Sequence, residues 1–217
     1  MPIKSRWSCD VPKYSLLNFL FNTPTHPLSK DPLYIDSHNP DNHFLSTHAH
    51  RSLVLRIASG LIASGLQPGD RVLLFSGNNI FFPAIFTGSI AAGGIFTGAN
   101  PGLTARELAQ QLKDSGAKFL IANVLSIDVA IDAARVAGVS PRNVFAFDDG
   151  LYMDVDGNVV KWESKADVKG MRHWSDIVEA GTEKFAWDEL KTDGGYNRTA
   201  AINYSSGYFY TSLIPPF

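Results

Sequence analysis

LQPGDRVLLFSGN, residues 66–78, decides the fold. Within it Val72, Leu73, Leu74 and Phe75 make a short, unbroken apolar run. An alternating run would mark a strand with one wet face; a continuous one marks a strand buried on both. Pro68-Gly69-Asp70 turns the chain into this strand, and Ser76-Gly77-Asn78-Asn79 breaks it and caps the helix that follows. Gly65 suits the left-handed cap that closes a preceding helix. A doubly buried strand between two helices is the unit from which parallel sheets with helices on both faces are built.

The same rhythm extends outward. Upstream, Ser46 or Thr47 can cap a helix whose apolar side runs Leu53, Ile57 and Leu61. Downstream, Pro83 falls in the first turn of the next helix, where a missing N–H costs little. Ile95 to Thr97 reads as a strand. Thr104 and Glu107 form a capping box, with Leu108 and Leu112 following at helical spacing and Gly116 closing the helix. Lys118 to Ala122 is a strand. Ser126 to Ala137 is a helix with Ile127, Ala130, Ile131 and Ala134 on one side, and Val144 to Phe147 is another strand. The expectation is an α/β fold of three layers, a mostly parallel sheet flanked by helices, joined by right-handed crossovers. After Asp148 the rhythm changes. Tyr152 to Trp162 reads as a hairpin turning at Asp156-Gly157. Trp174, Ile177 and Val178 mark a short amphipathic helix, and Thr199 to Tyr204 a strand. The first 45 residues, with several prolines, wrap the domain surface.

Composition narrows the function classes. With 217 residues, the chain can bury one good core, or one and a half domains. It is 45% apolar and 18% charged, with a formal net charge of −2. No basic face stands out, so nothing favours nucleic acid or an anionic membrane. Cys9 is the one cysteine, which excludes a disulfide framework and makes a reducing compartment the default. The first ten residues lack the apolar core of a signal peptide. Ile80 to Phe96, the longest apolar stretch, is broken by Pro83, Gly88, Gly93 and Gly94, so it reads as a buried helix and not a membrane span. The terminal Pro-Pro-Phe carries no peroxisomal address, and a cytoplasmic protein is expected.

Local motifs each have a plain reading. Ser205, Ser206 and Gly207 supply the small residues and hydroxyls of a phosphate loop, but such tripeptides are common in turns. The bulky Tyr208, Phe209 and Tyr210 follow, and no lysine or arginine occurs after Arg198. Asp154-Val-Asp156-Gly157-Asn158 lacks the later ligands of a calcium loop and reads as a hairpin turn. His38, His43, His48 and His50 lack the spacing and partners of a zinc site; His48 and His50 are expected to face solvent on the first turn of their helix. No G-x-G-x-x-G lies between a strand and a helix, and there is no G-x-S-x-G elbow. Phe81, Phe82, Ile85 and Phe86 could line an acyl pocket, but a buried helix face accounts for them better.

Four stretches in order are more specific than any one motif: LQPGDRVLLFSGN at 66–78, AGGIFTGANP at 92–101, TARELAQQLKDSGAK at 104–118 and NYSSG at 203–207. Together they resemble the N-terminal part of 4-coumarate–CoA ligase-like enzymes, in the adenylate-forming superfamily of acyl-CoA synthetases and luciferases. MPIKSRW at 1–7 and FDDG at 147–150 resemble the fungal variety. The resemblance runs from Met1 to Gly207. It implies an incomplete N-terminal AMP-binding domain over 1–207, a divergent tail over 208–217 and no C-terminal domain. It implies a reaction in which a carboxylic acid and Mg·ATP give acyl-AMP, and CoA then gives the thioester. Ser205, Ser206 and Gly207 would open the phosphate loop, which in the family continues Thr-Thr-Gly-x-Pro-Lys-Gly. The loop lysine, the adenine and ribose contacts, the hinge and the catalytic lysine all lie later in the family. No catalytic residue and no metal ligand therefore carries over. ATP, Mg²⁺ and CoA are implied by the family and expected not to bind this chain alone. The expectation is a ligase fragment inactive by itself, with self-association through exposed apolar surface. The alternative is a non-catalytic module that docks on an intact ligase or other partner through its aromatic tail.

Overall fold

The computed structural model describes residues 6–8, 14–22, 28–163, 168–187 and 198–205. A short helix, Leu16–Phe21 (α1), is capped by the Ser15 hydroxyl and buries Leu17 and Phe21. Two strands that the sequence reading did not anticipate follow: Pro32–Ile35 (β1) and Phe44–Ser46 (β2), paired antiparallel. They are too short to show a period. Helix Thr47–Ala63 (α2) begins at Ser46, whose hydroxyl accepts the Ala49 N–H at 2.9 Å, so Ser46 rather than Thr47 is the cap. Arg71–Phe75 (β3) is the strand expected from residues 72–75, and all four of those side chains are fully buried.

Helix Phe82–Ala91 (α3) carries Pro83 in its first turn, and the Asn79 carboxamide accepts the N–H groups of Phe81 and Phe82 at 2.9 and 3.0 Å. Ile95–Ala99 (β4) runs two residues past the expected end because its ladder with β3 continues through Gly98 and Ala99. Helix Ala105–Ser115 (α4) has both bonds of its capping box, and Gly116 closes it with φ of 62°. Then come Ala117–Asn123 (β5), Ile127–Ala137 (α5) and Val144–Phe147 (β6). Leu151–Met153 (β7) and Val159–Trp162 (β8) form the expected hairpin. The Asp154 carboxylate is used inside its turn, accepting the N–H groups of Asp156 and Asn158. Arg172–His173 (β9), helix Ser175–Ala180 (α6) and Ala201–Ile202 (β10) complete the described elements.

Six strands form one parallel sheet in the order β10-β4-β3-β5-β6-β9. The expected three-layer α/β architecture is what the chain adopts. On one face α2 packs against α3 and α6; on the other α4 packs against α5. A single strand serves both cores: Val72 and Leu74 of β3 join the first, Leu73 and Phe75 the second. From β3 the chain steps to β4 on one side, then crosses back to β5 on the other. The helices change face at that step, which makes the β3/β5 boundary the switch point of the sheet.

Candidate functional site: the carboxyl edge of the sheet

In open α/β sheets the loops leaving the carboxyl ends of the strands form the binding edge. Here that edge gathers residues 76–79 after β3, 100–103 after β4 and 203–205 after β10. The first two loops touch: a Cβ built on Gly77 would lie 4.0 Å from the Pro101 ring. The Asn100 carboxamide accepts the Gly102 N–H at 2.9 Å, and the Gln111 amide donates to the Gly98 carbonyl at 2.9 Å. Loop and helix are thereby fixed against the end of β4.

Helix N-termini at this edge are the obvious places for a phosphate, because their first N–H groups lack partners within the helix. Two of them are partly closed. At α3, Asn79 takes two of those groups and Pro83 has none to offer. At α4, Thr104 takes the Glu107 N–H, while Glu107 reaches back to the Thr104 N–H at 2.8 Å. The N–H and hydroxyl of Thr104 hold the Glu107 carboxyl below its usual range, so an anion already stands there. Arg106, exposed in the same first turn, is a cation that the fold brings to this edge.

Of the three residues read as a phosphate-loop opening, Ser205 is described; Ser206 and Gly207 lie outside the described residues, as does the aromatic tail. Ser205 is exposed, three residues past β10. Its neighbour Tyr204 is anchored, the phenol donating to Asp114 Oδ2 of α4 at 2.6 Å. Sequence reasoning missed Asp114, which in isolation is one more polar residue near a helix end. Arg198, the last cation of the chain, lies at the other end of the strand. It precedes β10 and stands beside Gly93, which precedes β4; a Cβ on Gly93 would be 3.7 Å from the guanidinium. Among the described residues the Ser205 hydroxyl and the exposed Arg106 stand at this edge, and Arg198 stands at the opposite end of β10.

The histidines do not converge. His43 is buried between the Asp36 carboxylate, 2.8 Å from Nδ1, and the Leu151 carbonyl, 3.1 Å from Nε2. That contact holds the Asp36 carboxyl below its usual range. His50, expected in solvent, is instead 3% exposed. Helix α1 and strand β1 fold over the first turn of α2, and the rings of Phe21 and Tyr34 stand edge-on to the imidazole at 5.3 and 5.2 Å. Its Nε2 lies 3.3 Å from the Thr87 hydroxyl, and burial pushes its pKa down to about 4. Among the described residues, no group of three or more His, Cys, Asp or Glu could hold a metal ion. Phe81 and Ile85 are core residues, as expected for a buried helix face; Phe82 and Phe86 are half-buried against Phe96. A surface cleft of about 480 Å³ lies between Asn39 and Asn42 on one side and Tyr152 and Lys161 of the hairpin on the other. None of its walls comes from the carboxyl edge.

A profile of the AMP-binding enzyme family matches residues 29–207 and so ends where the resemblance read in the sequence ends. Phenylacetyl-CoA ligase epaB of Aspergillus niger is 33% identical over 202 residues, covering 92% of this chain and 34% of that protein. Acyl-CoA ligase azaF, also of Aspergillus niger, is 31% identical over 202 residues, covering 92% and 35%. Plant 4-coumarate–CoA ligases match over shorter stretches. The fold is that of the long-chain-fatty-acid-CoA ligase FadD1 from Archaeoglobus fulgidus: TM-score 0.70 at 19% identity, over 92% of this chain and 36% of that one. The chain thus spans about a third of the length of the relatives it matches. Matched by the profile from residue 29 to residue 207, it belongs to the AMP-binding enzyme family.

Proposed function

We propose that this chain is the N-terminal portion of an AMP-forming acyl-CoA ligase and that it does not catalyse alone. Residues 1–207 are then part of the AMP-binding domain, and 208–217 a divergent tail. The substrate class is a carboxylic acid, activated as its acyl-AMP and passed to CoA. ATP, Mg²⁺ and CoA come with the family. Ser205, Ser206 and Gly207 open the phosphate loop.

One observation carries this reading. Strand β10 runs parallel to β4 and leads to Ser205 at the edge where the nearby termini of α3 and α4 are partly closed by their own side chains. This supports the loop that follows β10 as the phosphate loop of the reading. Among the described residues a triphosphate at this edge would meet one exposed cation, Arg106, while Arg198 stands at the far end of the strand. That is the ground for expecting no activity from the isolated chain, and no chemical step is assigned to its residues. The module alternative leans on Tyr208 to Tyr210 and Phe217, and no observation among the described residues favours it. Among those residues no helix is long and apolar enough to cross a membrane. We take the cytoplasm as the compartment.

The test is a chimera. Residues 1–207 replace the matched stretch of the Aspergillus niger phenylacetyl-CoA ligase, and carboxylate-dependent exchange of pyrophosphate into ATP is measured. The chimera should exchange; residues 1–217 alone should match a no-enzyme blank. A cooperatively folded chimera without exchange, or exchange by the isolated chain, refutes the reading.

A further inference from the structure

Two oxygens face the two ring nitrogens of His43. Asp36 Oδ2 lies 2.8 Å from Nδ1, and the Leu151 carbonyl oxygen lies 3.1 Å from Nε2. Both can only accept. A carbonyl has no proton to give, and the Asp36 carboxyl is held below its usual range, so it stands there as the anion. A neutral imidazole carries one N–H and would turn a lone pair toward one of the two oxygens; the imidazolium donates to both. The ring is 4% exposed, which leaves it little access to water as a substitute partner. The two oxygens also belong to distant parts of the chain. Asp36 directly follows β1, whereas Leu151 opens β7, 108 positions from His43 in sequence. Asn39 and Asn42, between Asp36 and His43, form one wall of the surface cleft, and Tyr152 of the hairpin, 4.6 Å from the His43 ring, belongs to the other. The tip of the hairpin is tied down separately. The Ser46 hydroxyl donates to the Val155 carbonyl at 2.9 Å, the Ser52 hydroxyl to the Gly157 carbonyl at 3.0 Å, and Lys30 pairs with Asp156.

We infer that His43 is a proton-operated clasp: with both ring nitrogens protonated it joins the loop after β1 to the base of the β7–β8 hairpin, and on losing one of those protons it releases the hairpin. The bond to Asp36 is the charge-assisted one and is kept; the Nε2 lone pair then faces the Leu151 carbonyl and that contact opens. The groups facing the ring among the described residues fit this assignment. Its own loop supplies the Asp36 anion, with the His38 N–H on the other carboxylate oxygen. The hairpin supplies Tyr152, with the Lys161 ammonium 4.3 Å from the centre of that phenol ring and paired in turn with Glu163. From the start of α3 comes the uncharged ring of Phe81. Asp36 is therefore the charge in direct contact, and it favours the ring proton. The sign follows. The fold binds this proton more tightly than the open chain does, so the clasp contributes on the acid side of the transition and is lost as pH rises. That is the reverse of a histidine kept neutral by burial, such as His50. Toward acid the clasp persists until the Asp36 carboxyl, with its lowered pKa, takes up a proton.

The test uses the chain of residues 1–217 labelled with nitrogen-15. At pH 7 both ring nitrogens of His43 should carry protons in the side-chain NMR spectrum. Between pH 6 and pH 9 the folding constant of the wild type, taken relative to that of His43→Gln, should fall at least about tenfold, and nuclear Overhauser contacts between the His43 and Tyr152 rings should weaken. Asp36→Asn should remove the pH dependence and keep the clasp, because a carboxamide N–H can donate to Nδ1 and leave a neutral ring with its Nε2–H on Leu151. A histidine that merely fills space would show none of this. Four results each overturn the inference: a single ring proton on His43 at pH 7, a folding-constant ratio that does not move with pH, ring contacts unchanged at pH 9, or an Asp36→Asn chain that keeps the wild-type slope. The first and third need the wild-type chain alone, so the inference stays open to refutation even where both variants fail to fold.

Discussion

The two faces of this sheet are equally dry and differently built. Strand β6 reads Val144-Phe145-Ala146-Phe147, and all four side chains are buried. Its phenylalanines go to the face covered by α2, α3 and α6, its valine and alanine to the face covered by α4 and α5. Strand β5 divides likewise, Phe119 and Ile121 against Leu120 and Ala122. The alanine face lets α4 and α5 come close with little side chain between. The aromatic face brings its helices close through glycine instead. A Cβ on Gly60 of α2 would sit 1.8 Å from the Ile177 carbonyl oxygen of α6, and one on Gly88 of α3 would sit 2.6 Å from Ile57 Cγ2. Polar groups are buried on that face as well, His43 and His50 among them. A run that looks uniformly apolar in sequence thus encodes two cores, one richer in alanine and one richer in rings.

Removing a ring should test this division most severely. Trp174 is fully buried, within 5.3 Å of Phe81, 5.1 Å of Phe147 and 5.2 Å of Trp162 between ring centroids. Trp174→Ala should cost about 3–5 kcal/mol in urea denaturation. Its indole N–H has no hydrogen-bond partner among the described residues, so Trp174→Phe, which keeps a ring, should cost less than about 1.5 kcal/mol. Equal losses for the two variants would mean that a phenylalanine ring does not replace the indole in this packing.

The next effect depends on pH. In the fold His50 has its pKa lowered to about 4, from 6.5 in the open chain. Above pH 6.5 both states are neutral there and the stability is complete. As pH falls from 6.5 toward 4, the unfolded chain takes up a proton that the fold refuses, and stability drains away by about 3 kcal/mol before levelling. The difference between wild type and His50→Gln, measured from pH 8 to 4, should isolate this slope. Parallel profiles would show that His50 is not held neutral by its cage of Phe21 and Tyr34.

On the alanine face the expected damage is from excess volume. Ala130 of α5 is fully buried, and Ala130→Leu should cost about 2 kcal/mol through overpacking. If the substitution is neutral, α4 and α5 are not closely seated.

What could be read in the sequence was what short stretches determine. The strand at 72–75, the hairpin turn at Asp154 to Asn158 and the helix opened by Thr104 each depend on residues within a few positions of one another. Strand β9 is two residues long and exists because it pairs with β6. The burial of His50 is decided by α1, Leu16–Phe21, and β1, Pro32–Ile35, both outside the helix that carries it. Neither leaves a local pattern. The same limit applies at the candidate site. Ser205 could be found because small residues and hydroxyls have a local signature; Asp114, which anchors Tyr204 from ninety residues away, has none.

The smallest effect tests the most local element. Thr104 is exposed and buries nothing, so its contribution to α4 comes from the capping box alone: its hydroxyl accepts the Glu107 N–H, and its own N–H reaches Glu107 Oε2 at 2.8 Å. Thr104→Ala removes the first bond and leaves the helix one orphan donor more, a loss of about 1 kcal/mol. Glu107 gives the loss a pH signature. Its carboxyl is held below the ordinary 4.5 by its bonds to Thr104. The folded-state pKa is the lower one, so the contribution is complete above about pH 4.5 and is lost as pH falls through the folded value. Glu107→Gln should therefore flatten the acid limb of the stability profile while keeping most of the cap at neutral pH, since a carboxamide oxygen still accepts the Thr104 N–H. Because α4 stands on the alanine face, neither variant should alter the pH slope assigned to His50 across the sheet. Additive losses in the triple variant Thr104→Ala, Glu107→Gln and His50→Gln, measured between pH 8 and 4, would establish that the two faces respond independently; a shortfall beyond about 0.5 kcal/mol would mean that β3, shared by both cores, couples them.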